Sequence, residues 1–353
     1  MKKEKSCGCI IYKYSQNKRL FLLIHQKHGD YIGFPKGHVE LNENEIETAL
    51  REVKEETNLD VFIFDDINAT DKYMIDGKID KEVVYFLATP TSSILSKQDK
   101  EIAKLLWVEE NQIINHLSYQ HGKDVFLNII KQFQTHVEYQ LDINLVSYLY
   151  ETILPIYKQF DKAHQNDHVH QVLKTSLEIA STIMNIRLDL VYVIAFYHDI
   201  GNLYGRDFHH ITGGKYLEED DMINKYFAKS DIKIMKEAIE DHRASHEQEP
   251  RSIYGKIIAE ADRDIIPEII ISRTVLFGLS HYPNISKEEH IKRSYDHLQE
   301  KYGRNGYLKL WLDSKKNVEG LKRLRDLLDD EIRIKQIIIK DYEKYTKNTK
   351  KAC

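Results

Sequence analysis

The stretch Gly37–Leu59, GHVELNENEIETALREVKEETNL, places seven carboxylates in 23 residues. Three of them, Glu52, Glu55 and Glu56, stand at i, i+3 and i+4 and share one face if the segment is helical. The local grammar predicts that helix. Asn42 and Glu45 read as a capping box, and Ile46, Ala49, Leu50 and Val53 as an inner apolar stripe. Glu47 and Arg51 form an i,i+4 pair in the favourable order, and Asn58 falls where a left-handed residue ends a helix. Like charges so placed repel one another, so a face built only for stability would not carry them. A hard divalent cation removes the repulsion by taking carboxylate oxygens, which points to Mg²⁺ or Mn²⁺.

Gly37, Glu43 and the run Arg51-Glu52-Val53-Lys54-Glu55-Glu56-Thr57-Asn58-Leu59 resemble the Nudix box, with Asn58 where that family has Gly. Asn tolerates the same left-handed backbone. The wider run PKGHVE…ETALRE is similar to the asymmetric diadenosine tetraphosphate hydrolases. Their later strand resembles KEVVYFLA at 81–88, and their closing Glu…Trp resembles Glu101 and Trp107-Val108. The resemblance covers residues 5 to about 132 and implies an α/β/α sandwich with a mixed sheet. It also implies metal held by Glu52, Glu55, Glu56 and the Gly37 carbonyl, and a carboxylate base, with Glu56 first and Glu52 and Glu101 as alternatives. Lys36 and His38 flank the box and would grip a phosphate tail. Tyr73, Tyr85 and Phe34 are candidates to stack adenine, the competing reading being ordinary core aromatics.

Around the box the chain alternates in strand fashion. Ser6–Tyr14 and Leu20–His25 read as a hairpin turning at Ser15-Gln16-Asn17. Val61–Phe64 is a strand, Tyr73–Ile75 and Lys81–Thr89 a second hairpin through Asp76-Gly77, and Leu105–Val108 a last strand. Asn111–Gln134 reads as helical. Residues 131–145 contain no Pro, Gly or Ser, so no flexible linker is expected there. The expected domains are 1–137 and 138–346, with a disordered tail at 347–353.

Helical periods dominate the second half, which reads as an all-α domain. The predicted helices are Leu145–Phe160, bent at Pro155, then Val169–Met184, Leu188–His198, Tyr216–Phe227, Asp231–His242, Ile253–Arg263, Ile265–Leu279, Lys287–Tyr302 and Val318–Tyr345. An adjacent His198-Asp199 ends an apolar helix, and burying such a pair is costly unless it is paired or metal-bound. Imidazole with carboxylate suits Fe, Mn, Zn or similar ions. The segments NDHVHQV, YHDIGN and EADRD resemble the HD phosphohydrolase superfamily over roughly 160–280. That resemblance implies the ligands His168, His198, Asp199 and Asp262, with His170 the lesser alternative to His168. HHITGGKYL is similar to a segment of the two-metal branch, which adds His242 and favours His209 over His210. Asp199 would then bridge one or two transition metal ions, and Arg263 would meet a phosphate or form a structural salt bridge. The Gly-Tyr-Pro signature of cyclic dinucleotide phosphodiesterases is absent, since His242 is followed by RASHEQEP.

The whole chain has 353 residues, 42% of them apolar, and a net charge of −5. That length suits two or three domains, and the acidity argues against a nucleic-acid-binding surface. No apolar run approaches the roughly 20 residues a bilayer requires. Three cysteines, Cys7, Cys9 and Cys353, make no disulfide framework and fit a reducing, cytoplasmic setting. The reading is a hydrolase with two metal sites and small nucleotide substrates. Two alternatives stand beside it: a pyrophosphohydrolase of RNA 5′ ends, and a nucleotide-sensing first domain that regulates the second.

Overall fold

The computed structural model describes residues 2–349 apart from 28, 30, 93, 99, 161–165, 244–247 and 264. The chain divides into two compact units, residues 1–171 and 172–353.

The first unit is built on a seven-stranded mixed sheet. Its strands are β1 (Lys2–Ser15), β2 (Lys18–Gln26), β3 (Ile32–Gly33), β4 (Lys36–His38), β5 (Val61–Ile75), β6 (Ile79–Pro90) and β7 (Ile102–Glu109). β1 runs parallel to β6 and antiparallel to β2 and β4. The first hairpin turns at Gln16 and Asn17, both at positive φ, as a two-residue hairpin loop requires. Alternation along β1 sends Cys7, Cys9 and Ile11 to one face with Ala49 and Val53 of helix α1 (Glu45–Thr57). Ile10, Tyr12 and Tyr14 go to the other face, against Phe126 and Ile129 of helix α2 (Gln120–Phe133). Helices on both faces of a mixed sheet complete the expected sandwich.

Several local readings need correction. The box helix is capped by Asn44, not Asn42. Asn44 Oδ1 accepts the Glu47 N–H and the Glu47 carboxylate accepts the Asn44 N–H, both at 2.9 Å. Glu47 is thereby taken by the cap and does not pair with Arg51. Leu50 is 38% exposed and leaves the inner stripe to Ile46, Ala49 and Val53. Asn58 does end the helix in the left-handed region, at φ 60°. The strands expected at 61–64 and 73–75 are one, β5, whose register shifts between Phe64 and Asn68. The segment read as a helix over 145–160 is a six-residue helix, Ile143–Tyr148, followed by a π turn and a 3-10 turn in which Pro155 sits.

Contacts divide the chain later than the expected edge at 137/138. Buried Glu138 accepts hydrogen bonds from the hydroxyls of Tyr12 at 2.8 Å, Tyr14 at 2.9 Å and Tyr150 at 3.0 Å. A buried carboxylate needs such donors, and here they come from β1, so the segment after α2 stays with the sheet.

The second unit is helical. Leu190–Tyr197 is wholly buried within the Leu188–Tyr197 helix. Around it stand the helices His209–Glu219, Lys229–Asp241 and Ile253–Asp262. The four helices Pro267–His281, Lys287–Tyr302, Lys315–Asp329 and Glu331–Thr349 share a separate core that includes Ile271, Leu298, Leu324 and Ile338. The single helix read at 216–227 is two, because Asp220 caps a new one by accepting the Met222 and Ile223 N–H groups. The helix read at 318–345 likewise breaks at Asp330. Residues 347–349 complete the last helix, and 350–353 of the expected tail lie outside the described residues.

Candidate active sites

In the first unit, α1 turns Glu52 and Glu56 toward β4. The Glu56 carboxylate is 4% exposed and accepts the Lys36 backbone N–H at 3.0 Å. Glu52 lies directly over Gly37: a Cβ there would sit 2.0 Å from its carboxyl carbon. Only glycine lets strand and carboxylate approach so closely. Arg51 forks to Glu43 at 2.7 and 3.0 Å, to Glu52 at 2.7 Å and to the His38 carbonyl at 2.9 Å. It thus fixes Glu52 and pulls the Glu43 carboxyl down to about 2. Glu55 is half-exposed, 3.6 Å from Arg51.

Burial pushes Glu56 up to about 8, against the pull of the Lys36 N–H and ammonium, with the charges of Glu52 and Glu101 adding to the rise. Burial raises Glu52 as well. Such a pair is costly to ionise without a cation and well suited to one. Glu101, on the approach to β7, is exposed and reaches Glu56 through its charge.

Lys36 is held below the ordinary lysine range by burial, and Lys81 lowers it further. Lys81 is itself buried, 2.8 Å from His38 Nε2 and 3.4 Å from Glu4. The sequence reading passed over Lys81, whose signal was a lysine at an inward position of an apolar strand. His38 is largely exposed beside it.

The aromatic candidates separate. Tyr85 and Phe34 are core residues, 4% and 1% exposed, and cannot face a ligand. Tyr73 stacks on His121 at 4.6 Å, His121 on Tyr119 at 5.3 Å, and Tyr119 on Tyr31 at 5.6 Å. Tyr119 is 52% exposed. The Lys36 ammonium, 5.9 Å from the Tyr31 ring centre, joins this row to the box. Tyr31, Tyr119 and His121 lie outside the motif, and no periodicity singles them out.

In the second unit, three histidines converge on Asp199. Asp199 Oδ2 lies 3.5 Å from His198 Nε2, and Oδ1 lies 3.4 Å from His209 Nε2 and 3.5 Å from His242 Nε2. Each ring turns Nδ1 to a backbone carbonyl three residues earlier: Ala195 at 2.8 Å, Arg206 at 2.7 Å and Ile239 at 2.6 Å. A carbonyl accepts, so each Nδ1 carries a proton and Nε2 is the ring nitrogen that faces Asp199. His209 Nε2 and His242 Nε2 stand 3.3 Å apart, a separation that two lone pairs tolerate only with a proton or cation between them. The donor set fits a metal ion, and Asp199, His209 and His242 offer atoms within 4.8 Å of one another.

His210 is buried beside His209, ring to ring at 5.6 Å, and is not in that group. Asp262 ends its helix; burial lowers His242, but the hydrogen bond and charge of Asp199, with the charge of Asp262 behind them, raise it overall. Arg263 donates to the Lys309 carbonyl and lies 3.8 Å from buried Glu260, a structural arrangement. His168 stands on the first turn of the Asn166–Ser181 helix. His170 packs between Phe62 at 5.3 Å and Tyr150 at 5.8 Å, and burial lowers it to about 3.

Gly201 sets the position of His209. A Cβ at Gly201 would meet the His209 carbonyl oxygen at 1.9 Å and the Gly213 nitrogen at 2.5 Å. Backbone on both sides leaves nothing to yield. Gly201→Ala is expected to destabilise the second unit by about 3 kcal/mol, read as a lower denaturant midpoint.

Comparisons with known proteins find two successive domains, the second beginning shortly before the second unit. The NUDIX domain model matches residues 3–128 and the HD domain model residues 166–264. An asymmetrical bis(5′-nucleosyl)-tetraphosphatase of Caenorhabditis elegans is 38% identical over 88 residues, 24% of this chain and 63% of that protein. A candidate mutator protein of Mycobacterium tuberculosis (strain CDC 1551 / Oshkosh) is 34% identical over 87 residues, 24% of this chain and 35% of that protein. A solved Ap4A hydrolase of C. elegans in a binary complex matches 37% of this chain and 97% of its own, at 28% identity and a TM-score of 0.35. No helix among the described residues is long and apolar enough to cross a membrane. The chain carries a NUDIX domain followed by an HD domain, both of them hydrolase families that act on phosphate bonds.

Proposed function

We propose that the NUDIX domain hydrolyses dinucleoside polyphosphates asymmetrically, cutting diadenosine tetraphosphate to ATP plus AMP. The observation that carries this reading is the inward Glu52–Glu56 face over Gly37, with Lys36 and Lys81 beside it and the Tyr31–Tyr119–His121–Tyr73 row leading away. The 38% identity to a tetraphosphatase over 88 residues supports it. Divalent cations held by Glu52, Glu55, Glu56 and the Gly37 carbonyl would supply charge neutralisation and polarisation of the phosphate. Lys36 and Lys81 balance the rest of the phosphate charge, and the exposed Tyr119 ring offers adenine a stacking face. Glu56 takes the proton of the attacking water, with Glu52 and Glu101 as the other candidates. The water oxygen joins one phosphorus, the bridging P–O bond breaks, and ATP and AMP leave.

For the HD domain we propose a metal-dependent phosphohydrolase or phosphodiesterase acting on a nucleotide. Its ligands are His168, His198, Asp199, His209, His242 and Asp262, with Asp199 shared and His210 set aside. Four imidazoles with two carboxylates suit Fe, Mn or Zn. The buried free thiols Cys7 and Cys9 fit the reducing, cytoplasmic compartment we assign to the protein.

The test is product analysis. The whole protein is incubated with diadenosine tetraphosphate and Mg²⁺, then Mn²⁺, and the products are separated by anion exchange. Equal ATP and AMP are expected. ADP as sole product would move the activity to the HD domain, and no cleavage would overturn the substrate.

A further inference from the structure

Asp262, the last residue of the Ile253–Asp262 helix, stands between two points that a distant helix holds. Asn317, in the first turn of the Lys315–Asp329 helix, donates through Nδ2 to the Glu260 carbonyl at 2.8 Å and to Glu260 Oε1 at 2.9 Å. Its Oδ1 accepts the Ile265 N–H at 3.3 Å. One amide thus grips the chain on both sides of Asp262. It finds acceptors on one side and a donor on the other, so it has a single orientation. The last carbonyls of a helix have no donor within it. Asn317, 2% exposed, satisfies one of them from 57 residues away.

The same stretch of chain surrounds Glu260. Its carboxylate is wholly buried and also accepts the Ser314 hydroxyl at 3.2 Å and the Trp311 N–H at 3.3 Å. A carboxylate removed from water needs such donors, and these come from residues 311–317. On the other side of Asp262, Arg263 donates to the Lys309 carbonyl. Gly320, one turn beyond Asn317, lies against the Ile265 carbonyl: a Cβ there would sit 2.0 Å from that oxygen. Only glycine lets the helix approach the segment so closely.

Each of these hydrogen bonds joins residues 260–265 to residues 309–317, which lie beyond the 166–264 span matched by the HD domain model. Metal–ligand distances are held to about 0.2 Å. A ligand at the end of a helix, where the chain leaves regular structure, keeps such a distance only if the residues before and after it are fixed.

We propose that Asn317 is a positioning residue of the HD metal centre, which fixes the backbone on both sides of Asp262 and so sets where that carboxylate stands. It acts through Asp262 and not on the ion itself. The proposal rests on the assignment of Asp262 as a ligand. The metal centre then reaches past residue 264, and the Lys315–Asp329 helix is a working part of it.

The test is the Zn²⁺ affinity of the full chain. Bound Zn²⁺ per chain is measured against buffered free Zn²⁺, with excess Mg²⁺ present to occupy the carboxylates of the NUDIX domain. Asn317→Leu is close in size and removes all three hydrogen bonds of the amide. It should raise the free Zn²⁺ needed for half-occupancy about 10–100-fold, as loss of a residue behind a metal ligand does. Asn317→Ser, which is shorter and puts no apolar bulk against Glu260, takes its place if Asn317→Leu does not fold. Leu328→Ala opens the buried core of the same helix, about 12 Å along the axis from Gly320. It should lower the denaturant midpoint and leave Zn²⁺ affinity within about twofold. Asp262→Ala should lose at least as much affinity as Asn317→Leu. Unchanged affinity in the folded Asn317 variant would overturn the proposal; with affinity lost in Asp262→Ala, the ligand assignment would still stand. Equal loss in Leu328→Ala would also overturn it, because affinity would then follow the stability of the helices. Unchanged affinity in Asp262→Ala would remove the ligand assignment and the proposal with it.

Discussion

Glu56→Gln is expected to lower turnover of diadenosine tetraphosphate at least about 10³-fold while the protein stays folded. The substitution is nearly isosteric, and the amide oxygen can still accept the Lys36 N–H now bonded at 3.0 Å. What disappears is a negative charge that would hold a cation and a base that would take the water proton, each worth orders of magnitude. The sign of the stability change depends on the cation. Burial raises Glu56 from 4.5 to about 8 in the folded chain. A carboxyl raised on folding loses folded-state stability as pH climbs from the unfolded value toward the folded one. Without divalent cations, wild type and variant should be equally stable near pH 4. Near pH 8 the variant should be the more stable by up to about 4 kcal/mol. Mg²⁺ should reverse the order by stabilising the wild type alone. The measurements are turnover by anion exchange, and denaturant midpoints at both pH values with chelator or Mg²⁺. Retained turnover would remove Glu56 from the mechanism. A variant that is less stable at pH 8 in chelator would mean the carboxylate is already paired with something else.

The box could be read because its constraints are local. Three glutamates on one helical face and an asparagine at a left-handed cap are each set by positions a few residues apart, and the glycine that Glu52 approaches opens the same motif. The cap at the other end was misplaced by two residues because Asn42 and Asn44 are both followed three residues later by glutamate. The sandwich followed from strand alternation, and the all-α second half from its periods. Breaks in long helical runs did not follow. Asp220 and Asp330 sit in sequences whose periodicity continues through them, and each starts a new helix by turning its carboxylate onto the backbone N–H groups just after it. The substrate face was the least legible part. Tyr85 alternates as Tyr73 does, yet lies in the core, while Tyr119 and His121 reach Tyr73 only because the turn into α2 lies beside β5. Lys81 shows the same limit: a strand pattern marks it as inward, but only tertiary structure supplies His38 and Glu4 as its neighbours.

Asp199→Ala is expected to strip the HD domain of its tightly held transition metal and leave asymmetric cleavage of diadenosine tetraphosphate within about twofold of wild type. The asymmetry follows from what Asp199 touches. Its two oxygens reach the Nε2 atoms of His198, His209 and His242 at 3.4–3.5 Å, so one side chain connects three helical segments. Removing only a supporting residue of a metal site commonly costs 10–100-fold in affinity, and a shared ligand should cost at least about 100-fold. His209 and His242 would then face each other at 3.3 Å with no carboxylate to balance a proton or cation between them. The readout is metal content per chain after desalting, with hydrolysis of a generic phosphodiester such as bis(p-nitrophenyl) phosphate alongside. His210→Ala is the matched control, because His210 is equally buried and adjacent but outside the group around Asp199. Metal lost in Asp199→Ala and kept in His210→Ala would establish the ligand set by contrast. Unchanged metal in Asp199→Ala would sink it. Equal loss in both variants would mean that the helix beginning at His209 has shifted, and that the site depends on its packing against Gly201 more than on any single donor.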